Sequence, residues 1–231
     1  MQKTIQQVLD KLAEERPAFY SEADFQLAFA WGLKESFASQ MKAYEVYLER
    51  RFVIDVEDEE SGKTTQKDCY VDVCIESEVE LYLIELKYKT IGERVVLSTA
   101  LKNEEVLKDQ AANDLGRYGY LKDIWRIEQV FKKIGGQKKM QGFAIILTND
   151  KKYYEEPKVT LNTIDRTFRI HERSKTINPF VNPVDWVYSP KNQTFLNKYP
   201  GFTLAHTPLF DWKLYCQQKD CTFKYLLTTI N

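Results

Sequence analysis

Histidine occurs only twice in the 231 residues, which leaves little material for histidine-based zinc sites or catalytic triads. Net charge is also nearly absent, at a formal −1, so any nucleic-acid surface has to be a local basic patch. No apolar run approaches the roughly 18 residues that a membrane-crossing helix needs. The opening Met1-Gln2-Lys3-Thr4-Ile5-Gln6-Gln7 lacks the apolar core of a signal peptide, so a cytoplasmic chain with no membrane partner is expected. Neither G-x-x-x-x-G-K-[ST] nor G-x-G-x-x-G occurs, and ATP or dinucleotide use has no support. Internal repeats and low-complexity stretches are absent.

Cysteine is sparse as well. Four residues form two C-x4-C pairs, Cys69/Cys74 and Cys216/Cys221. Positions five apart in a strand point to opposite faces, which argues against zinc shared by Cys69 and Cys74. Cys216 and Cys221 could bridge a hairpin, but reduced thiols are expected without a signal peptide. All four read as ordinary half-buried cysteines, and His171 and His206 read as structural.

What is present is an ordered core: 43% of residues are hydrophobic and 13% aromatic. Ile5, Val8, Leu9 and Leu12 recur at helical spacing, predicting a helix over 3–16 that Pro17 ends. A second helix starts at Ser21, with Asp24 completing a capping box, Tyr20 stapling onto Phe25, and a stripe of Phe25, Ala28, Phe29, Gly32, Leu33 and Phe37. Strands are expected over 43–56, Asp68 to Ile75 and Leu81 to Tyr88, with an acidic turn over 55–62. Helix signals run over 103–134, broken at Gly116 and Gly119 and stopped by Gly135-Gly136. Phe143 to Thr148 reads as a strand buried on both faces. Residues 150–231 hold six prolines and short aromatic strands at Thr167–His171 and Phe223–Thr228. They read as an extension of the same sheet and core, so that 1–231 form a single domain.

The chemistry concentrates in Asp72 to Lys87. If Ser77 to Glu80 form a hairpin loop, Glu76 faces Leu81, Cys74 faces Leu83 and Asp72 faces Glu85. Opposed residues share a face, with Cβ atoms roughly 4.5–5.5 Å apart. Lys87, two residues beyond Glu85, shares it too. Two carboxylates on a largely apolar hairpin cost several kcal/mol to bury unless a cation sits between them. A structural salt bridge from Lys87 to either acid is the simple alternative. A third acid, Glu22, lies three residues before Phe25 and seven before Phe29, on the core-facing stripe, with Gln26 one turn later. The ordinary role of a glutamate in a first turn is to stabilise the helix dipole at the surface.

Asp72-x12-Glu85-Leu86-Lys87 resembles the D-(x)n-(D/E)-x-K signature of the PD-(D/E)XK nuclease superfamily. Tyr20-Ser-Glu22-Ala-Asp-Phe-Gln26 resembles its first core helix, Asp109-Gln110 to Arg117-Tyr118 the helix after the hairpin, and Ala144 to Asp150 the next core strand. More narrowly, Glu-Leu-Lys-Tyr-Lys-Thr, the Gly-Arg-Tyr helix and Phe-Lys-Tyr-Leu-Leu are similar to a subgroup of uncharacterised bacterial proteins there. Two departures stand out: Val71 replaces the usual proline, and Gln110-x7-Tyr118 replaces the Q-x3-Y of RecB-like members.

The resemblance implies a restriction-endonuclease-like α/β fold. Its α-β-β-β-α-β core over about 20–150 is a central mixed sheet flanked by helices, here with a C-terminal β-rich extension. It implies Mg²⁺ (or Mn²⁺) held by Asp72, Glu85 and the backbone carbonyl of Leu86. Lys87 would act on the attacking water and the developing phosphoryl charge, and Glu22 would reach the metal through water or hold a second ion. Asp68, four residues from Asp72, is the substitute aspartate. The implied activity is hydrolysis of DNA phosphodiester bonds, with a homodimer as one way to cut two strands.

The helix near Gly116 offers a substrate face. Gln110, Asp114, Arg117 and Tyr118 share one stripe, and Lys102 to Lys139 hold nine basic and six acidic residues. Gln110, Arg117, Tyr118 and Gln26 are the substrate-binding candidates; a solvated charged helix face is the alternative. The rival function is a non-catalytic nucleic-acid or protein-binding module on the same fold.

Overall fold

The computed structural model describes residues 1–57, 62–110, 112–136, 138–158, 163–172, 180–182, 193–219 and 221–231. Apolar residues at helical spacing bury one face of each N-terminal helix. Helix α1 (Gln2–Glu15) turns Ile5, Val8, Leu9 and Leu12 inward, and α2 (Glu22–Ser39) does the same with Phe25, Phe29, Leu33 and Phe37. Gly32 permits their contact, since a Cβ there would meet Val8 Cγ1 at 2.8 Å. The start of α2 follows half of the expected box: Asp24 N–H donates to Ser21 Oγ at 3.1 Å, while Asp24 Oδ2 accepts at 3.0 Å from Tyr20 N–H, one residue before the cap. The staple falls one residue earlier than expected. Tyr20 is 63% exposed, whereas Phe19 packs on Phe25 with ring centroids 5.0 Å apart.

The chain continues with β1 (Glu45–Glu57), β2 (Thr64–Glu76) and β3 (Glu80–Lys89), then a small antiparallel pair, β4 (Arg94–Val96) and β5 (Glu104–Val106). Helix α3 (Asn113–Ile134) leads to β6 (Lys139–Thr148). A second small pair, β7 (Phe180–Val181) and β8 (Phe202–Thr203), brackets α4 (Gln193–Lys198), and β9 (Trp212–Gln218) and β10 (Cys221–Ile230) end the chain. Six strands form one mixed sheet in the order β1-β2-β3-β6-β10-β9. All neighbours are antiparallel except β3 and β6, whose parallel pairing requires a crossover that α3 supplies. Phe143 to Leu147 on β6 are all fully buried, as their continuous apolar run anticipates. The α1–α2 pair covers one face of the sheet; α3 and C-terminal segments cover the other. No helix among the described residues is long and apolar enough to cross a membrane.

Four expectations are corrected here. Helix α3 begins at Asn113, not 103, after Ala112 in the left-handed region, because β5 occupies the earlier segment. It runs unbroken through Gly116 and Gly119. Gly116 serves a contact, for a Cβ there would meet Tyr153 Oη at 2.0 Å. Thr167–His171 is no strand: Phe168 N–H closes a turn onto Asp165 O at 3.0 Å. Finally, Cys69 and Cys74 lie on the same side of the sheet. Side-chain alternation in β1 and β2 reverses at Glu49, whose φ is +51°, opposite Asp72. Cys69 and Val71 face the α3 side, and Val73 and Ile75 face the α1–α2 side. The acidic turn lies partly outside the described residues, at 58–61.

Candidate active site

The hairpin register is the one that opposes Asp72 to Glu85. Strands β2 and β3 pair as Glu76↔Leu81, Ile75↔Tyr82, Cys74↔Leu83 and Val73↔Ile84, and there the ladder stops although both strands continue. The strands therefore splay at Asp72, leaving β3 donors without backbone partners. Carboxylates take them. Leu86 N–H donates to Asp72 Oδ2 at 2.6 Å, and Tyr88 N–H donates to Glu22 Oε2 at 2.8 Å. Gln26, one turn along α2, donates from Nε2 to the Asp72 carbonyl at 2.7 Å and to Glu49 Oε1 at 2.9 Å. It thus ties down both residues at which the strands reverse.

Helix α3 closes the opposite side. Asp123 Oδ2 stands 2.7 Å from Lys87 Nζ, and the Lys87 stem passes Gly119, whose added Cβ would lie 3.8 Å from Lys87 Cε. Arg126, three residues on, donates from Nη1 to Asp123 Oδ1 at 3.1 Å, from Nε to Cys69 Sγ at 3.5 Å, and from Nη2 to the Tyr70 carbonyl. Its Nη2 also lies 3.1 Å from Glu85 Oε1. Four acids (Glu22, Asp72, Glu85 and Asp123) thus meet two cations, Lys87 and Arg126.

The imbalance shows in the protonation equilibria. Burial pushes the Asp72 carboxyl above its ordinary value against the Leu86 N–H and Lys87, which favour the anion. Burial, then Asp123 and Asp72, raise Glu85 well above its ordinary value despite Arg126 and Lys87. Burial alone would lower Lys87, but Asp123, Glu22 and Asp72 outweigh it and raise the ammonium's pKa.

Asp72, Glu85, Lys87, Glu22, Gln26 and Leu86 therefore come together. The structural salt bridge weighed from sequence takes a different form, since Lys87 pairs with Asp123 rather than with Asp72 or Glu85. Asp68 is exposed on a 2.8 Å pair with Arg51 and does not join the site. Gln110 precedes α3 and so shares no helical stripe with Arg117; its N–H donates to Thr90 O at 2.9 Å and its Oε1 accepts from Lys89 at 3.3 Å. Arg117 is buried as an internal cation, 2.5 Å from Asp165 Oδ2, bonded to the Lys152 carbonyl and seated over the Tyr153 ring. Tyr118 is buried and donates to the Pro200 carbonyl at 2.7 Å. A cavity of about 510 Å³ beside Arg117, Asp114 and Asp165 lies away from the carboxylates.

Sequence reasoning missed Asp123, and counted Arg126 only among the basic residues of 102–139. The signal was present: Asp123 falls three residues after Tyr120 and four before Ile127, inside the apolar stripe of α3. As the side chains lie, no described cluster of three or more His, Cys, Asp or Glu residues could hold a metal ion. The donor chemistry nevertheless fits a hard divalent cation. Asp72 and Glu85 offer carboxylate oxygens at the splay, and Glu85 Oε1 is buried without a hydrogen bond. Compared with known proteins, the chain matches no family model, no curated protein and no solved structure.

Proposed function

We propose that the chain is a metal-dependent deoxyribonuclease of the PD-(D/E)XK type with a restriction-endonuclease-like core. The observation that carries this reading is the opposition of Asp72 and Glu85 at a splayed hairpin, with Lys87 on the same face. The order α2-β1-β2-β3-α3-β6 supports the fold assignment, with β4 and β5 as an insertion before α3.

Asp72, Glu85 and the Leu86 carbonyl would hold Mg²⁺ or Mn²⁺, which supplies Lewis acidity toward the phosphoryl oxygen and lowers the pKa of bound water. The chain's own contribution is placement. Asp72 is fixed by the Leu86 N–H and, through its carbonyl, by Gln26. Lys87, paired with Asp123, would bring its positive charge to the developing phosphoryl negative charge and to the attacking water. Glu22 acts as a positioning residue, holding β3 open at Tyr88. Lys122, one turn before Arg126, adds positive charge close to Arg126 and Asp123, with Lys67 on β2 as a further cationic neighbour. A phosphodiester backbone matches an acidic centre with cations beside it.

One observation favours the rival, a non-catalytic nucleic-acid or protein-binding module. The Glu85 side chain is only 1% exposed, with Arg126 beside it. Incubation of the full chain with plasmid, linear and branched DNA in Mg²⁺, Mn²⁺ or EDTA separates the two. Metal-dependent cleavage supports the nuclease, and binding without cleavage supports the module.

A further inference from the structure

Arg126 is held at the carboxylate site in an unequal way. Three contacts are hydrogen bonds, to the Tyr70 carbonyl, Cys69 Sγ and Asp123 Oδ1. The fourth is not. Nη2 lies 3.1 Å from Glu85 Oε1, yet that oxygen accepts no hydrogen bond. The guanidinium meets Glu85 as a charge and aims its N–H groups elsewhere. Exposure adds a direction, for the Arg126 side chain keeps 26% of its surface in solvent and Glu85 keeps 1%. Of the two partners, only Arg126 reaches solvent.

We infer that Arg126 is a built-in counter-ion that competes with a divalent cation for Glu85. The inference rests on the proposed metal-dependent reading of Asp72 and Glu85. A buried glutamate left without a positive neighbour is strongly destabilising, which explains a cation here in the metal-free fold. Replacement of that cation by a metal breaks no hydrogen bond at Oε1; what it costs is the Glu85 ion pair and, as Arg126 swings away, its contacts to Asp123, Cys69 and the Tyr70 carbonyl. Arg126 has solvent on one side to move into, while the Lys87–Asp123 pair uses the other oxygen of Asp123 and is left in place. The site thus has two alternative occupants for one carboxylate oxygen, and Arg126 sets how tightly the second binds.

The test uses the full chain, Arg126→Gln, Arg126→Lys, and Mn²⁺ alone as probe. Calorimetric titration measures affinity, and melting in EDTA measures the metal-free fold. Arg126→Gln should melt lower in EDTA and bind Mn²⁺ about tenfold more tightly than the parent. Arg126→Lys, which keeps the charge, should bind like the parent. A parent that binds no Mn²⁺ beside an Arg126→Gln variant that does also supports competition. An Arg126→Gln variant that binds no tighter than a binding parent overturns the inference and leaves the proposed metal site standing. Absence of binding in both overturns both. If Arg126→Gln is unfolded in EDTA, Mn²⁺ must restore the fold, and failure to do so overturns the inference.

Discussion

The Asp72 carboxylate accepts the Leu86 backbone N–H at 2.6 Å, on the strand directly opposite, where a strand carbonyl would ordinarily stand. The acid is therefore a structural replacement for a missing ladder bond as well as a candidate metal ligand. The two roles separate by substitution. Asp72→Asn keeps an acceptor for Leu86 and removes a buried charge, whereas Asp72→Ala leaves the N–H unpaired. Asp72→Ala should be less stable than Asp72→Asn by about 1–3 kcal/mol in denaturant titrations without metal. Equal stabilities would show that the hydrogen bond is not maintained in solution.

Glu85 gives the pH dependence of the metal-free fold. Its folded pKa is raised well above the ordinary 4.5, by burial first and then by Asp123. Between those two values the folded state binds more protons than the unfolded chain, so stability rises as pH falls. In EDTA the melting temperature should climb as pH is lowered from neutral towards the carboxylate range, and Glu85→Gln should remove most of the climb. A melt that falls steadily over that window in the parent would contradict the assignment.

Arg117 is placed as an internal partner of Asp165. Asp165 is 1% exposed, with Arg117 at 2.5 Å as its nearer cation and Arg169 at 3.9 Å. Arg117→Ala should cost about 3–5 kcal/mol of stability by leaving a buried charge without that partner. The salt slope of DNA binding should stay unchanged in that variant, and a slope smaller by about one unit would instead place a phosphate on Arg117.

Much of the hairpin was legible in sequence because a period of two and a short loop leave one register that buries Val73, Cys74, Leu83 and Ile84 together. The Asp72–Glu85 opposition followed from that register alone. The reversal at Glu49 was not legible, because it depends on one residue's left-handed backbone and no glycine marks it. That reversal is what brings Cys69 and Cys74 to one side. Arg117 and Tyr118 misled because a basic and aromatic helix face looks alike whether it meets solvent or the C-terminal segment. Asp165, Tyr199 and Phe202, which claim those residues, lie far along the chain. Asp123 and Arg126 were hidden by the same helix, since an acid in an apolar stripe declares its partner only when Lys87 is placed beside it.

If the carboxylates and Lys87 act as one unit, the double variant Asp72→Asn/Glu85→Gln should lose little more cleavage activity than either single variant. Independent, multiplying losses in a plasmid assay would show that the two acids serve separate purposes.

The most direct measurement is supercoiled-plasmid cleavage by the full chain in Mg²⁺, Mn²⁺ and EDTA, run beside Glu85→Gln and Lys87→Met under the same conditions. The expected result is cleavage by the parent with either metal, none in EDTA, and none by either variant while both remain folded. Cleavage that persists in Glu85→Gln, or a folded, Mn²⁺-binding parent that cuts no DNA substrate, would contradict the nuclease.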